Sequence, residues 1–576
     1  MKLLHKYFPI TNWISSYKLS TLKNDLPAGL SVGIVLIPQG IAYAIIADIP
    51  PIYGLYTALI PQLVYAVFGT SRQLSVGPVA MDSLIVAAGV SVIASAGTDY
   101  YLAMATLLAF MMGAIQFLFG FFRLGFLVNF LSKPVISGFT SAAALIIGLN
   151  QIKHITGTEI LRSNKIQELI YNIIQHISDF SILSIGLAFF ALTIILIFQF
   201  KKIKFPSALV VVTLGILLVF FFKLNLHGVK IVETIPAGLP DFKIPEFNQA
   251  NIQKLLYLSF TLSLIAFMEA ISIAKAIEDK NRTSHVKADQ ELIALGLANV
   301  IGSFFQTYPA TGGFSRSAIN DQSGAKTPMS SIISAGVVAL ALLFLTDLFY
   351  FLPKPILGAV IIAAVIRLID FKYPVELIKY KKDEFFMLFT TFIVTLTIGI
   401  SEGIITGVII SLALLIFRSA KPHIAECVQV EGTNQFRNKS RFENTKERED
   451  VLIFRFDGQL YFANCQYFKQ QLRIMINAKG DQLKHIILNA ECINHIDSSA
   501  IKLLKQLILD LKEDNINFII SGTIGPVRDT LFKSKLIEVI GKNMMFSNVE
   551  KAIYYIDNQI NMSDNTNNKI ATQTNK

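Results

Sequence analysis

Residues 75–95 read SVGPVAMDSLIVAAGVSVIAS, and residues 308–322 read YPATGGFSRSAINDQ. Each run is short for a bilayer crossing, which takes about 20 apolar residues in a helix. Each opens at a break rich in Gly and Pro. A helix that begins in mid-membrane leaves its first N–H groups without intrahelical partners and carries a partial positive charge there. Two such ends make an anion site that needs no metal. The first run would offer the amides around Val79 and Ala80, the second those of Phe314, Ser315 and Arg316. The Ser315 hydroxyl can also donate. Arg316 adds a full charge, and an intramembrane Arg is costly unless it serves an anion or pairs with an acid or a carbonyl.

Working outward, apolar spans fall near 26–47, 52–69, 78–95, 101–121, 125–149, 179–200 and 206–223. A second set falls near 255–279, 289–306, 312–322, 329–348, 355–369, 384–400 and 402–418. Fourteen spans in two groups of seven place the two broken runs third and tenth. An odd number of spans per half inverts the second half relative to the first, as in many secondary transporters. Lys and Arg gather in alternate loops, at Arg72, Arg123, Lys201, Lys280, Lys326 and Lys379–Lys382, which puts both termini in the cytoplasm.

Composition agrees. Only 16% of the 576 residues are charged and 53% are apolar. Residues 421–576 carry 21 Lys+Arg and 18 Asp+Glu, against 30 and 22 in the 420 residues before them. Two solvents imply two domains. The excess of basic residues lies mostly in the membrane part, which argues for loop anchoring rather than nucleic acid. Residues 1–24 are mixed and basic and read as an N-terminal cytoplasmic segment, not a cleaved signal. Cys427, Cys465 and Cys492 lack metal-binding spacing, and no cofactor fingerprint, P-loop or nucleophile–base pair is visible. No metal, no cofactor and no enzyme activity are expected.

Within the first span Gln39 and Tyr43 are four residues apart and share a helix face suited to a polar cavity. Glu269 is the one acid between Leu262 and Ala276. At that depth a carboxyl can carry a coupling proton or help hold a coupling cation; the alternative is a structural partner for Arg316 or Lys275. Asp82, four residues beyond Pro78, can play a similar part.

The runs Asp25–Leu30, Ile37–Ala44, Pro50–Tyr56, Phe68–Arg72, Ser75–Ala80, Glu291–Asn299 and Gly312–Ser317 together resemble the SulP family of anion transporters. The resemblance covers nearly the whole chain. It implies a 7+7 inverted repeat divided into a core (spans one to four and eight to eleven) and a gate, over residues 25–420. It implies an anion site at Gln39, Tyr43, Val79, Ser315 and Arg316, with Glu269 in the place of the coupling acid. The expected function is secondary active transport of an inorganic anion, foremost sulfate by proton symport, in the inner (plasma) membrane. Sodium-coupled bicarbonate uptake, anion exchange and dicarboxylate transport stay open, as does an anion sensor. The family also implies a homodimer.

Residues 450–556 change to soluble α/β patterning. Val451–Phe456, His485–Leu488 and Asn517–Ser521 read as buried strands, separated by helices near 464–478, 498–513 and 525–535. The run Ile496–Ala500 opening a helix resembles the STAS domain, in which a Ser of this turn can be phosphorylated; Ser498 and Ser499 are the candidates. Asp497 and the Ser pair also make an ordinary helix cap. Residues 421–449 read as a charged linker and 557–576 as a disordered tail.

Overall fold

The computed structural model describes residues 8–126, 132–161, 163, 165–201, 207–281, 286–366 and 369–558. The expected tail beyond residue 558, Lys202, Lys204 and Arg282 lie outside the described residues. Two compact units divide the chain, one ending at Ser411 and the other starting at Leu412.

Beside shorter helices such as Ile166–Gln175 and Lys372–Tyr380, the membrane part up to Ala420 holds fourteen helices that match the expected spans in order. They are α1 (Leu19–Ile46), α2 (Pro51–Phe68), α3 (Ala80–Val90), α4 (Asp99–Phe121), α5 (Lys133–Asn150), α6 (Ile182–Phe200) and α7 (Ser207–Phe222). The second half contributes α8 (Gln249–Asn281), α9 (Ala288–Ser303), α10 (Phe314–Gln322), α11 (Met329–Phe344), α12 (Lys354–Val365), α13 (Lys382–Thr397) and α14 (Ile400–Ala420). Two boundaries differ most from the sequence reading. Helix α1 starts at Leu19 rather than near 26, which puts Asp25 inside it, because Pro27 is accommodated within the helix. Helix α5 starts at Lys133 rather than near 125, with Pro134 in its first turn, where a missing N–H costs nothing.

Packing follows the repeat. Helix α1 lies against α11, and α8 against α4; α5 lies against α13, and α12 against α6; α4 lies against α9, and α11 against α2. Each pair maps onto its mate when seven is added to one helix number and subtracted from the other. Helices α1–α4 and α8–α11 pack chiefly with one another, as do α5, α6, α7, α12 and α13.

Small residues let the backbones meet. A Cβ on Gly54 would sit 2.0 Å from the Gly40 carbonyl oxygen, so α1 and α2 cross in direct backbone contact. Gly113 and Gly296 do the same for α4 and α9, each 2.7 Å from the other's carbonyl oxygen by that measure. Conversely, Phe189, Phe200, Phe221, Phe386 and Phe417 on α6, α7, α13 and α14 are exposed. So broad an apolar surface suits lipid.

The second unit is a seven-stranded sheet with helices on both faces. Its strands are β3 (His423–Val430), β4 (Phe436–Asn438), β5 (Thr445–Lys446), β6 (Val451–Asp457), β7 (His485–Asn489), β8 (Asn517–Ser521) and β9 (Met545–Phe546). The order is β4-β3-β6-β7-β8-β9, with β5 also on β3; β6 to β9 run parallel and β3 is antiparallel to β6. Residues 421–449 are therefore not a linker. Although rich in charge, they supply β3 to β5, and Ala425 and Cys427 of β3 are buried against the sheet. Alternation along β6 sends Leu452, Phe454 and Phe456 to the face covered by Cys465–Lys479 and Ser498–Glu513. Val451 and Ile453 go to the other face, under a final helix at 549–558.

Candidate functional site

The two broken runs form the centre of the membrane unit. Val76–Gly77 (β1) pairs antiparallel with Thr311–Gly312 (β2), Val76 opposite Gly312 and Gly77 opposite Thr311. The extended pair leads directly into α3 and α10, which have 11 and 9 residues. At 1.5 Å per residue neither helix reaches much beyond half of a bilayer core about 30 Å thick. Gly313 N–H donates to the Ser75 carbonyl at 2.9 Å, and Ser75 N–H donates to Ser317 Oγ at 2.9 Å. Neither Val79 nor Gly313, the residues that precede the helices, has a side chain capping the helix end. The first-turn amides are thus left for another partner.

Arg316, in the first turn of α10, is 2% exposed. Its Nη1 donates to the Pro78 carbonyl at 2.9 Å and to Gln39 Oε1 at 3.4 Å, while Nε and Nη2 have no hydrogen-bond partner. A Cβ on Gly313 would lie 2.5 Å from Nη2, so any larger residue there would displace the guanidinium from this position. The arginine therefore pairs with a carbonyl through one nitrogen and keeps two donors free.

The remaining expected residues divide. Gln39, Tyr43, Val79 and Ala80 are buried around this centre, and Tyr43 lies within electrostatic reach of Arg316 and Glu269. Phe314 and Ser315 are exposed at the start of α10, with Phe314 64% exposed. Glu269 on α8 is partly buried, in the field of Arg316, and its Oε2 has no partner; Lys275 is exposed. Asp82 is fully buried with both carboxyl oxygens unpartnered.

Several supporting residues were not singled out from sequence. Asn299 grips the backbone before β2 twice, its Oδ1 accepting from Ala310 N–H at 2.8 Å and its Nδ2 donating to Ala310 O at 2.9 Å. Tyr308 N–H donates to Thr57 Oγ1 at 3.1 Å, and its hydroxyl lies 3.1 Å from Ser83 Oγ. Thr311 Oγ1 donates to Ala266 O at 2.6 Å. Asn299 ends a run that carried the family resemblance, and that run was the available signal.

Residues 22–391 match the sulfate permease family, and residues 444–552 match the STAS domain. The chain belongs to the sulfate permease family. Among relatives of this permease, "Sulfate transporter 4.1, chloroplastic" of Arabidopsis thaliana is 38% identical over 95% of this chain and 82% of its own length. "Probable sulfate transporter 4.2" of the same plant is 38% identical over 96% and 84%. A solved structure of SLC26A9 shares the fold, with a TM-score of 0.88 and 22% identity over 98% of this chain and 94% of that one. The permease is thus a multi-pass membrane transporter of inorganic anions and not an enzyme.

In the permease's STAS domain, Asp497 caps the helix Ser498–Glu513 by accepting from Ala500 N–H at 2.8 Å, and its other oxygen accepts from Phe462 N–H at 2.9 Å. The cap is Asp497 alone. Ser498 and Ser499 stand exposed in the first turn.

Proposed function

We propose that this permease takes up sulfate with protons, seating the anion between the N-terminal ends of α3 and α10. The observation that carries this reading is Arg316, buried yet with Nε and Nη2 unpartnered beside two uncapped helix ends. A dianion there gains charge-assisted hydrogen bonds worth about twice a neutral one. Gln39, Tyr43, Val79, Ala80, Phe314, Ser315 and Arg316 form the binding set. Glu269, in the field of Arg316, is the coupling acid, and Asp82 belongs with it. The names of the Arabidopsis relatives favour sulfate over bicarbonate. The permease works as a homodimer in the cell's inner membrane, with both termini in the cytoplasm and residues 25–420 as the transport domain. Ser498 and Ser499, exposed at a helix N-terminus, are placed to accept a regulatory phosphate.

The test is uptake of radiolabelled sulfate and bicarbonate into proteoliposomes, with and without an inward proton gradient, for the wild type and Glu269→Gln. Sulfate uptake driven by the gradient and lost in the variant is expected. Gradient-independent exchange, or sodium-driven uptake of bicarbonate alone, would overturn the reading.

A further inference from the structure

Asp82 is the third residue of α3, where an acid ordinarily hydrogen-bonds the N–H groups of its own helix. It does not do so here. The side chain is 0% exposed and neither oxygen has a hydrogen-bond partner. Its neighbour Ser83 engages the Tyr308 hydroxyl at 3.1 Å instead. The charged and titratable groups that reach it come from α8 and from the segment ahead of β2. Glu269 on α8 acts on it directly, and so does Tyr308, ahead of β2. Tyr43 on α1 and Arg316 on α10 complete the set around Glu269 and Tyr308. The cluster thus holds two carboxyl groups against one guanidinium.

A carboxylate with no donor in a dry interior is strongly disfavoured unless it takes a proton or gains new partners. Counting charge then fixes what the pair can do. With both carboxyls ionised beside Arg316, the empty site carries one net negative charge. With both protonated and a sulfate dianion bound, it again carries one net negative charge. Equal charge in the two states lets the core cross the membrane loaded or empty against the same electrostatic barrier. With Glu269 as the lone carrier, the loaded site would be more negative by one.

We propose that Asp82 is a second proton carrier of the transport cycle, so that two protons accompany each sulfate. Each proton forms an O–H bond on a carboxylate when the anion enters. Each leaves to water on the side where the site opens, and water there supplies the hydrogen bonds that the packed protein withholds. This deepens the proton-symport reading above and rests on it.

The test is the null point at which a sulfate gradient balances an imposed pH gradient, in proteoliposomes of the full chain with the voltage clamped by potassium and valinomycin. Two protons give about a 100-fold sulfate ratio for each pH unit, independent of voltage; one proton gives about 10-fold and a null point that moves with voltage. Wild type is expected at the first value, with Asp82→Asn at the second and Asp82→Glu restored to the first. A wild-type ratio of about 10-fold overturns the proposal, whatever the variants do, so failure of a variant to fold does not protect it. An unchanged 100-fold ratio in Asp82→Asn overturns it as well. A wild-type null point that ignores pH altogether removes the symport reading beneath it, and this result is distinct from the other two.

Discussion

The Arg316 guanidinium donates to the carbonyl of Pro78 at 2.9 Å, so the cation of one inverted half is held by the break of the other. Neither half can build this site alone. The bond fixes the fork so that Nε and Nη2 stay free.

The first prediction follows from that fork. Lysine keeps the charge but concentrates it in one ammonium, which can serve the Pro78 carbonyl or the anion but not present the same planar pair of donors. Arg316→Lys is expected to weaken sulfate uptake by about 10- to 100-fold, from one lost charge-assisted bond of roughly 1.5–3 kcal/mol. Arg316→Ala should abolish it. Initial rates against sulfate concentration check both, and wild-type kinetics in the lysine variant would remove Arg316 from the binding set.

Glu291 gives the second. It is buried in α9 and accepts four hydrogen bonds, from Tyr65 Oη and Thr70 Oγ1 at 2.6 Å each, Thr70 N at 2.7 Å and Ser71 N at 3.2 Å. It ties the chain ahead of β1 to the second half. In Glu291→Gln the amide oxygen can keep the Thr70 and Ser71 bonds, but they lose the charge that strengthens them. The NH2 forces the Tyr65 hydroxyl to turn from donor to acceptor. The expected cost is about 2–4 kcal/mol, read as a fall of several degrees in the thermal unfolding midpoint in detergent. An unchanged midpoint would show that these bonds do not limit stability.

The same residues show how far the sequence could be read. The spans, their number and the two breaks were legible, because apolar length and Gly/Pro placement are local properties. The runs around Asp25 and Glu291 carried the family resemblance, but their roles were not legible. Asp25 accepts from Lys326 N and Thr327 Oγ1 at 2.6 Å each, about 300 residues away, and no local pattern announces such a partner. The misread linker fails for a related reason. Strands β4 and β5 are short, partly exposed additions beside β3 at one end of the sheet, where a charged composition is ordinary. At the site, Gln39 and Arg316 were legible from chemistry. Asn299 and Tyr308 act through backbone geometry, which becomes visible only once β1 and β2 are paired.

Gly54 gives the third prediction. A methyl group there would meet the Gly40 carbonyl oxygen at 2.0 Å, and since the backbone fixes both positions no rotamer change relieves the contact. Gly54→Ala must push α1 away from α2, and α1 carries Gln39 and Tyr43. Overpacking of this kind costs about 3 kcal/mol. Lower yield of folded protein is expected, with sulfate affinity reduced in whatever folds. Gly186→Ala on α6, where a Cβ would meet nothing within 4 Å, is the control and should behave as wild type in both respects.

The STAS domain gives the last prediction, a two-step loss of stability in acid. Burial holds the imidazole of His485 below its usual range, partly countered by Asp450. Between that lowered value and the ordinary one near 6.5, the unfolded chain binds a proton that the folded domain refuses, so stability falls as pH drops below about 6.5. Burial acts to raise the Asp457 carboxyl, but bonds from Arg455 Nε at 2.7 Å and Nη2 at 2.9 Å, and from His423 Nδ1 at 2.8 Å, outweigh it and hold the carboxyl low. Its contribution is complete above the unfolded value near 3.9 and is lost as pH falls through the lower folded value. Hydrogen-exchange protection of β6 to β8 in the full-length protein should therefore weaken in two separate pH windows. His485→Gln is expected to erase the upper step and leave the lower. Asp457→Asn should shrink the lower step while reducing protection at neutral pH. Asp450 and Glu447, also held low by bonds from Arg448 and from Lys439 and Lys479, share that step. A single unaltered transition in both variants would assign the acid sensitivity to other groups.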